Sequence, residues 1–549
     1  MTPPPSTGAT DLLGRASRRG ASASVGLARW GAGRVESRIV HAVGGPARAR
    51  VIVLFGTVLA LNTADASTVG AVAPQLEPAL HIGNTQVGLL ASVALIVGAI
   101  AAIPVGMLVD RVKRVKVLAG SVVLWSLATA AGGFAGSYSD LLLSRLALGA
   151  VAATAGPAIA SLTGDFFPVR ERVRVYGFIL SGEIIGTAVG FLVSGTIASV
   201  LGWRFAFFAL AIPGLWLARE LWVTLPEPER GGSHKLEVGA MEIVPASQTE
   251  VIVPDAVEEE ERPTEVLEVP APADDELARL AVQARGIKPD PNLILQEDAT
   301  TMPLSRAVPY VLRVPTNMVL IVSSALGYFF LAGLSTFAVV FVRAHYGASQ
   351  ATATGALGLL VLGSLIGTLV SGPLTEWLLR HGVISARVWV PSVSYILAAV
   401  LLVIGIANTK LMPAIWFDMA GAGALAAANP PLDAARLDIM PAGLWGRAES
   451  VRTLLRTIAQ AIAPLLFGAV ADLVAGITPH QAPIGTKPHG LAPGIGTGLE
   501  ISFMLMLIAL FAAGVVLLRG RNTYPRDVAT AAASTDVQAA HAAAAADAV

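Results

Sequence analysis

Cysteine is absent from the 549-residue chain, which excludes disulfides, thiolate catalysis and zinc or iron–sulfur sites held by cysteine. Charge is scarce. Asp, Glu, Lys and Arg make up 14% of the residues, where a soluble domain carries roughly a quarter. The 38 basic residues match 38 acidic ones, so no overall field draws in nucleic acid, and no nucleic-acid motif is present. No Gly-x-x-x-x-Gly-Lys-[Ser/Thr] loop exists to bind a nucleotide. His480 and His489 sit in a Gly/Pro-rich loop whose other polar groups are not metal-like, so neither metal nor cofactor is expected. Residues 1–50 lack the apolar core and small-residue cleavage site of a signal peptide. Enzyme chemistry finds no foothold.

Apolar residues are what the chain has in abundance: 54% of it is hydrophobic, with a mean hydropathy of +0.67. A bilayer span needs about 20 such residues. Six long runs meet that need at 51–73, 86–109, 116–136, 141–163, 174–200 and 204–224. Six more come at 316–342, 351–379, 388–408, 411–434, 450–475 and 499–519. They are too long for barrel strands and lack period-two alternation. The fold expected is all-α, with twelve transmembrane helices in two sets of six.

Positive charge sets the orientation. Arg111, Lys113, Arg114 and Lys116, then Arg170, Arg172 and Arg174, fall between spans on one side, as do Arg380, Arg387, Arg436 and Arg447. The opposite loops hold chiefly Arg204, Arg343, Lys410 and Lys487. Both termini are therefore expected in the cytoplasm, with the chain in the inner (plasma) membrane. Residues 1–50 carry eight arginines against Asp11 and Glu36, suiting either a basic amphipathic helix on an anionic leaflet or an unordered tail. Between the halves, 254–276 holds ten acidic residues against Arg262 alone, the composition of a disordered linker, although 235–253 alternates well enough for a small strand pair. Five parts are expected: a basic segment (1–50), a six-helix bundle (51–225), an acidic Pro-rich linker (226–310), a second bundle (311–520) and a disordered tail (521–549).

The halves repeat. Gly106-Met107-Leu108-Val109-Asp110 after the second span matches Gly372-Pro373-Leu374-Thr375-Glu376 after the eighth. Asp165-Phe166-Phe167-Pro168 after the fourth matches Asp438-Ile439-Met440-Pro441 after the tenth. Two independent pairs at corresponding places point to an internal duplication.

The stretch Gly106-Met107-Leu108-Val109-Asp110-Arg111-Val112-Lys113-Arg114 resembles the loop signature of the major facilitator superfamily, with Lys113 where a glycine is usual. The resemblance implies two pseudo-symmetric six-helix bundles around a central cavity. It also implies that Gly106, Asp110, Arg111 and Arg114, with Gly372, Glu376 and Arg380 in the second copy, gate the inner mouth. A finer resemblance is to the spinster-like lipid transporters of that superfamily. It rests on Leu61-Asn62-Thr63-Ala64-Asp65, Trp125, Arg145 with Gly149, Asn429-Pro430, Pro441, Arg447-Ala448, Ala463-Pro464 and Gly468. Ala66 and Ala152 depart from that pattern, at the places of an arginine and a glutamate.

Ionisable groups within a bilayer are costly and face a cavity or each other. Asp65 stands beyond the middle of the first span, where its charge is expensive, which suits a proton carrier or a carboxyl that ties helices together. Arg145 in span four is its natural counter-charge, or snorkels outward. Glu183, flanked by Gly182 and Gly186, is placed to supply the acid missing at Ala152. Asp418 in span ten is a further cavity candidate, while Asp433, Arg436, Arg452 and Arg456 are expected to form a charge network inside the second half. Asn62, Asn429 and Gln460 are candidates to touch cargo or to bridge helices. The function expected is secondary transport by alternating access: proton-coupled export (antiport, efflux) of an amphipathic or lipid-like compound or drug. Uptake of a small metabolite is the alternative, and a non-transporting receptor or scaffold a third. The partners expected are the small-molecule or lipid cargo, protons and the surrounding bilayer, and the chain is expected to act as a monomer.

Overall fold

Apolar runs of this length satisfy their backbone groups inside a bilayer only as helices, and helices are what the chain forms. The computed structural model describes residues 45–167, 169–228, 236, 274–297, 299, 302–476 and 494–547. Residues 1–44, the strand pair expected within 235–253, and the loop of His480 and His489 lie outside the described residues. Twelve helices are long and apolar enough to cross a membrane. The first six are Pro46–Leu80, Asn84–Arg111, Arg114–Gly133, Tyr138–Ala152 with Ala155–Phe166, Val169–Val189 with Gly195–Leu201, and Trp203–Thr224. The second six are Pro315–Tyr346, Gln350–Arg380, Ala386–Ile406, Leu411–Ala427 with Asn429–Asp438, Trp445–Ala475 and Ile495–Asp547. They are called spans one to twelve below. Their even number places both ends of the bundle's chain, and the linker, at one end, here the termini end; the opposite end is the far end.

Small residues set how closely the spans pack, because apolar side chains gain nothing by leaving lipid and the close approach of backbones takes over. Gly182, Gly186 and Gly190 form a stripe on span five that lies against span one. A Cβ at Gly182 would come within 2.1 Å of the Gly56 carbonyl oxygen, and one at Gly186 within 2.1 Å of that of Ala60. Span five takes up a π turn over Gly190–Ser194, where Ser194 Oγ meets Thr68 Oγ1 at 2.7 Å.

The duplication is built into the breaks and charges of the helices. Span four is interrupted after Ala152 and span ten after Ala427. Pro157 and Pro430 come just after the interruptions, each eight residues before an aspartate, Asp165 or Asp438. Proline supplies no N–H and its ring clashes one turn back, so the helix restarts there. Arg114, opening span three, then pairs with Asp165, and Arg387, opening span nine, pairs with Asp438. Both pairs close a loop of 51 residues. A residue beyond the last apolar stretch of each half also holds the pair of that half. Glu227 accepts from the backbone N–H groups of Arg114 and Val115, both at 2.8 Å, and the Tyr524 hydroxyl donates to Asp438. Arg114, expected to gate, is buried here among Asp165, Ser161, Glu227 and the Pro228 carbonyl.

The disorder expected of the tail is corrected, while residues 254–273 of the acidic stretch lie outside the described residues. The segment from 521 is helix through Asp547, continuing span twelve beyond the bundle. The linker carries the helices Asp274–Ala284 and Leu304–Arg313, and its later part docks on that continued helix. Thr530 Oγ1 and Ser534 Oγ accept from the N–H groups of Asp290 (2.8 Å) and Leu295 (3.0 Å), while Arg526 pairs with Asp290 at 3.0 Å. Alanine is the strongest helix former, so the Ala-rich tail extends the helix, and tertiary contacts supply what an isolated helix lacks.

At the far end the halves are tied together. Asp472, near the end of span eleven, caps span two of the other half. It accepts from Asn84 N (3.1 Å), Asn84 Nδ2 (2.8 Å), Thr85 N (2.8 Å) and Thr85 Oγ1 (2.6 Å). Gln350 Nε2 of span eight donates to the Ala71 carbonyl of span one at 2.7 Å. Gly70, Gly88 and Gly468 let spans one and seven, and two and eleven, meet backbone to backbone. The hydrogen bonds described between the halves gather here.

Candidate functional site

Between the two halves lies a cavity of two lobes, separated by spans one and seven. The first, about 300 Å³, is lined by Asn62, Asp65 and Val69 of span one, Arg145 and Gly149 of span four, and residues of spans two, seven and eleven. The second, about 340 Å³, is lined by Thr63, Glu183, Tyr328, Tyr395, Asn429 and Gln460 among apolar neighbours such as Phe191 and Leu360. Ser335 of span seven borders both.

The charged centre of the first lobe is the Asp65–Arg145 pair. Both residues are 1% exposed, and Arg145 Nη1 donates to Asp65 Oδ2 at 2.7 Å. Asp65 Oδ1 accepts from Thr129 Oγ1 at 3.3 Å, and the guanidinium lies 5.0 Å from the Phe207 ring centroid. Gly149 makes room for this arrangement, because span four lies directly against Ala94 of span two there. The arginine is under-used: Nε and Nη2 are buried with no hydrogen-bond partner. A guanidinium has five donors, so this one retains capacity for a second acceptor.

In the second lobe Glu183 is exposed to the cavity, and the cation whose charge reaches it is Arg456 of span eleven. Arg456, expected in the charge network of the second half, instead lies over the Tyr328 ring at 4.6 Å. That network forms without it. Arg452 pairs with Asp433 at 2.9 Å and with Glu449 at 3.0 Å, and Arg436 pairs with Glu449. Glu449 was not singled out in the sequence because it stands in a polar stretch, Arg447-Ala448-Glu449-Ser450, at the mouth of a span. Asp418 is corrected: it borders a separate cavity of about 30 Å³ inside the second half, with Leu334, Leu402 and Ile406, and packs against Gly405.

The structure therefore brings Asn62, Asp65 and Arg145 together in one lobe and Glu183, Asn429 and Gln460 together in the other. The gating residues are spread out. Gly106, Asp110 and Arg111 end the second span's helix, and their side chains lie outside the described residues. Gly372 has open space where a Cβ would stand, Glu376 is half-buried and Arg380 is exposed. Among the described residues, no three His, Asp or Glu side chains gather as a metal site would require.

The described chain is thus two duplicated six-helix bundles with a cavity at their interface and a seal across one of its ends. The Major Facilitator Superfamily model matches residues 55–464, and the chain belongs to that family. It is 29% identical over 170 residues to a probable L-galactonate transporter of Escherichia coli (strain K12), covering 31% of this chain and 37% of that one. It is 28% identical over 180 residues to a gallate transporter of Pseudomonas putida (33% and 40%). It is 30% identical over 155 residues to a hexuronate transporter of Bacillus subtilis (strain 168) (28% and 37%). The chain thus aligns with well under half the length of these curated relatives. Its fold is similar to the crystal structure of a bacterial homologue of the human lysosomal transporter Spinster, in an inward-facing, unoccupied conformation. There the TM-score is 0.64 at 21% identity, over 88% of this chain and 98% of that one.

Proposed function

We propose that the chain is a proton-coupled transporter of a small organic anion, held in the plasma membrane with its termini in the cytoplasm. The observation that carries the reading is the buried Asp65–Arg145 pair at 2.7 Å, with Arg145 Nε and Nη2 unpartnered beside a 300 Å³ lobe. A carboxylate cargo and Asp65 compete for one guanidinium. Cargo takes it over when Asp65 is protonated, since burying two anions against one cation is costly. Proton and anion then favour each other's binding by the same factor, as linkage requires. Glu183 gives the second lobe a further carboxyl group, with Tyr328, Asn429 and Gln460 to hold the body of the cargo.

The size of the lobes supports a compact solute, since pockets for small molecules run to about 300–1,000 Å³. The relatives named for galactonate, gallate and hexuronate support an acid. Export of an amphipathic compound is the second reading, favoured by the apolar lining around Glu183. The concentration of Arg and Lys at the termini end supports the orientation. With the usual inward proton gradient, the anion moves inward together with its proton.

Binding of gallate, 4-hydroxybenzoate, hexuronate and a lysolipid to the purified protein across pH tests the proposal. A carboxylate should bind more tightly as pH falls, by up to about tenfold per unit, and Asp65→Asn should bind it with little pH dependence. Tighter binding of the carboxylate as pH rises, or lysolipid alone binding, would contradict it.

A further inference from the structure

The far-end seal holds a carboxyl group that the cavity chemistry does not use. Glu77, one turn before the end of span one, is 1% exposed, and neither of its oxygens has a hydrogen-bond partner. The charges that face it are Asp472 of span eleven and Arg343 of span seven, both in the other half. His81, on its own helix, is exposed. Asp472 is amply accommodated: four donors from Asn84 and Thr85 converge on it at the N-terminus of span two, where the helix dipole favours an anion. Arg343 reaches sideways to Gln350 Oε1 at 3.3 Å and borders the open vestibule outside the seal with Gln75 and Ser199. Two acids and one arginine thus meet at the seam between the halves, and the acid with no donor is the one entirely enclosed.

We infer that Glu77 is a proton-binding site of the far-end gate, filled when the seal is closed and emptied to the outside when it opens. An ionised carboxylate without donors, next to Asp472, does not stay buried. Opening of the seam exposes Glu77 to water, where a carboxyl ionises near pH 4.3, and closing must take a proton back from the outer solution. Glu77 lies at the far-end seam and lines neither lobe of the cavity, so in this role it biases the gate without carrying protons across. The inference rests on the alternating-access reading above.

Because the chain contains no cysteine, a single Ser335→Cys, bordering both lobes, reports on the gate through labelling by a membrane-impermeant maleimide from outside right-side-out vesicles. Asp65→Asn and Glu183→Gln are included in the reporter to silence the cavity acids. The labelling rate is divided at each pH by that of a water-exposed single-cysteine control, because the thiolate is the nucleophile and its fraction rises with pH; this ratio should rise about tenfold between about pH 6 and about pH 8.5. Adding Glu77→Gln, which mimics the protonated acid, should leave it low and flat, and Glu77→Asp should keep the slope. If Glu77→Gln does not assemble, Glu77→Met makes the same prediction. Labelling that keeps its pH slope in Glu77→Gln overturns the assignment while leaving alternating access intact. A slope that vanishes when sodium is replaced by N-methylglucamine overturns it in favour of a sodium site. No labelling from outside at any pH overturns alternating access and this inference with it.

Discussion

At the scale of single residues, the arrangement of Asp65 and Arg145 separates effects on stability from effects on coupling. Asp65→Leu leaves a guanidinium enclosed with no carboxylate, and breaking a buried pair in that way costs about 3–5 kcal/mol. A clear drop in thermal unfolding temperature in detergent should show it. Asp65→Asn keeps an acceptor for Arg145 Nη1 and should unfold closer to wild type, while losing the pH dependence of binding. Arg145→Lys replaces a planar fork with a point charge, and the half-saturating cargo concentration should rise at least tenfold, about 1.4 kcal/mol. Both partners were legible in the sequence because charges stand out within apolar runs. Their pairing was legible only as a plausible match, and Thr129 was invisible, since a threonine in an apolar run has no distinguishing mark. Glu77 was missed for a different reason: it lies past the apolar run read as span one, where an acid looks like loop chemistry.

At the scale of elements, glycine position governs which helices touch. Gly186→Leu places a branched side chain where even a Cβ would stand 2.1 Å from the Ala60 carbonyl oxygen. Spans one and five must then separate, and overpacking of this kind costs about 1–3 kcal/mol or more. Loss of monodisperse protein on size exclusion should report it, whereas Gly372→Leu, with open space around it, should be tolerated. Tyr524→Phe removes the hydroxyl that donates to Asp438 and should cost about 1–2 kcal/mol, visible as a lower unfolding temperature with binding unchanged. All twelve spans were legible because length and hydropathy alone decide them, although the first runs seven residues beyond its apolar stretch, to Leu80. The helical tail and the docked linker were not. Their composition reads as low complexity, and the contacts that order them, Thr530 and Ser534 with residues near 290, join segments about 240 residues apart.

At the scale of the molecule, duplication explains more than any single motif. Two loops of 51 residues, each closed by an arginine opening a span and an aspartate ending the next, brace the two halves in the same way. The far-end ties at Asp472 and Gln350 hold the halves together in the arrangement described. Alternating access then requires those ties to break while the intra-half pairs persist. The sequence shows the aspartates of these pairs as a repeat but not their arginines, since Arg114 belongs to the loop signature and Arg387 stands among the loop charges that set the orientation. Coupling through Asp65 and Arg145 is measured directly by proton flux into proteoliposomes on addition of a carboxylate. Wild type should move protons inward with at least one carboxylate, and Asp65→Asn should move none although cargo still exchanges. Undiminished proton flux with Asp65→Asn would contradict it.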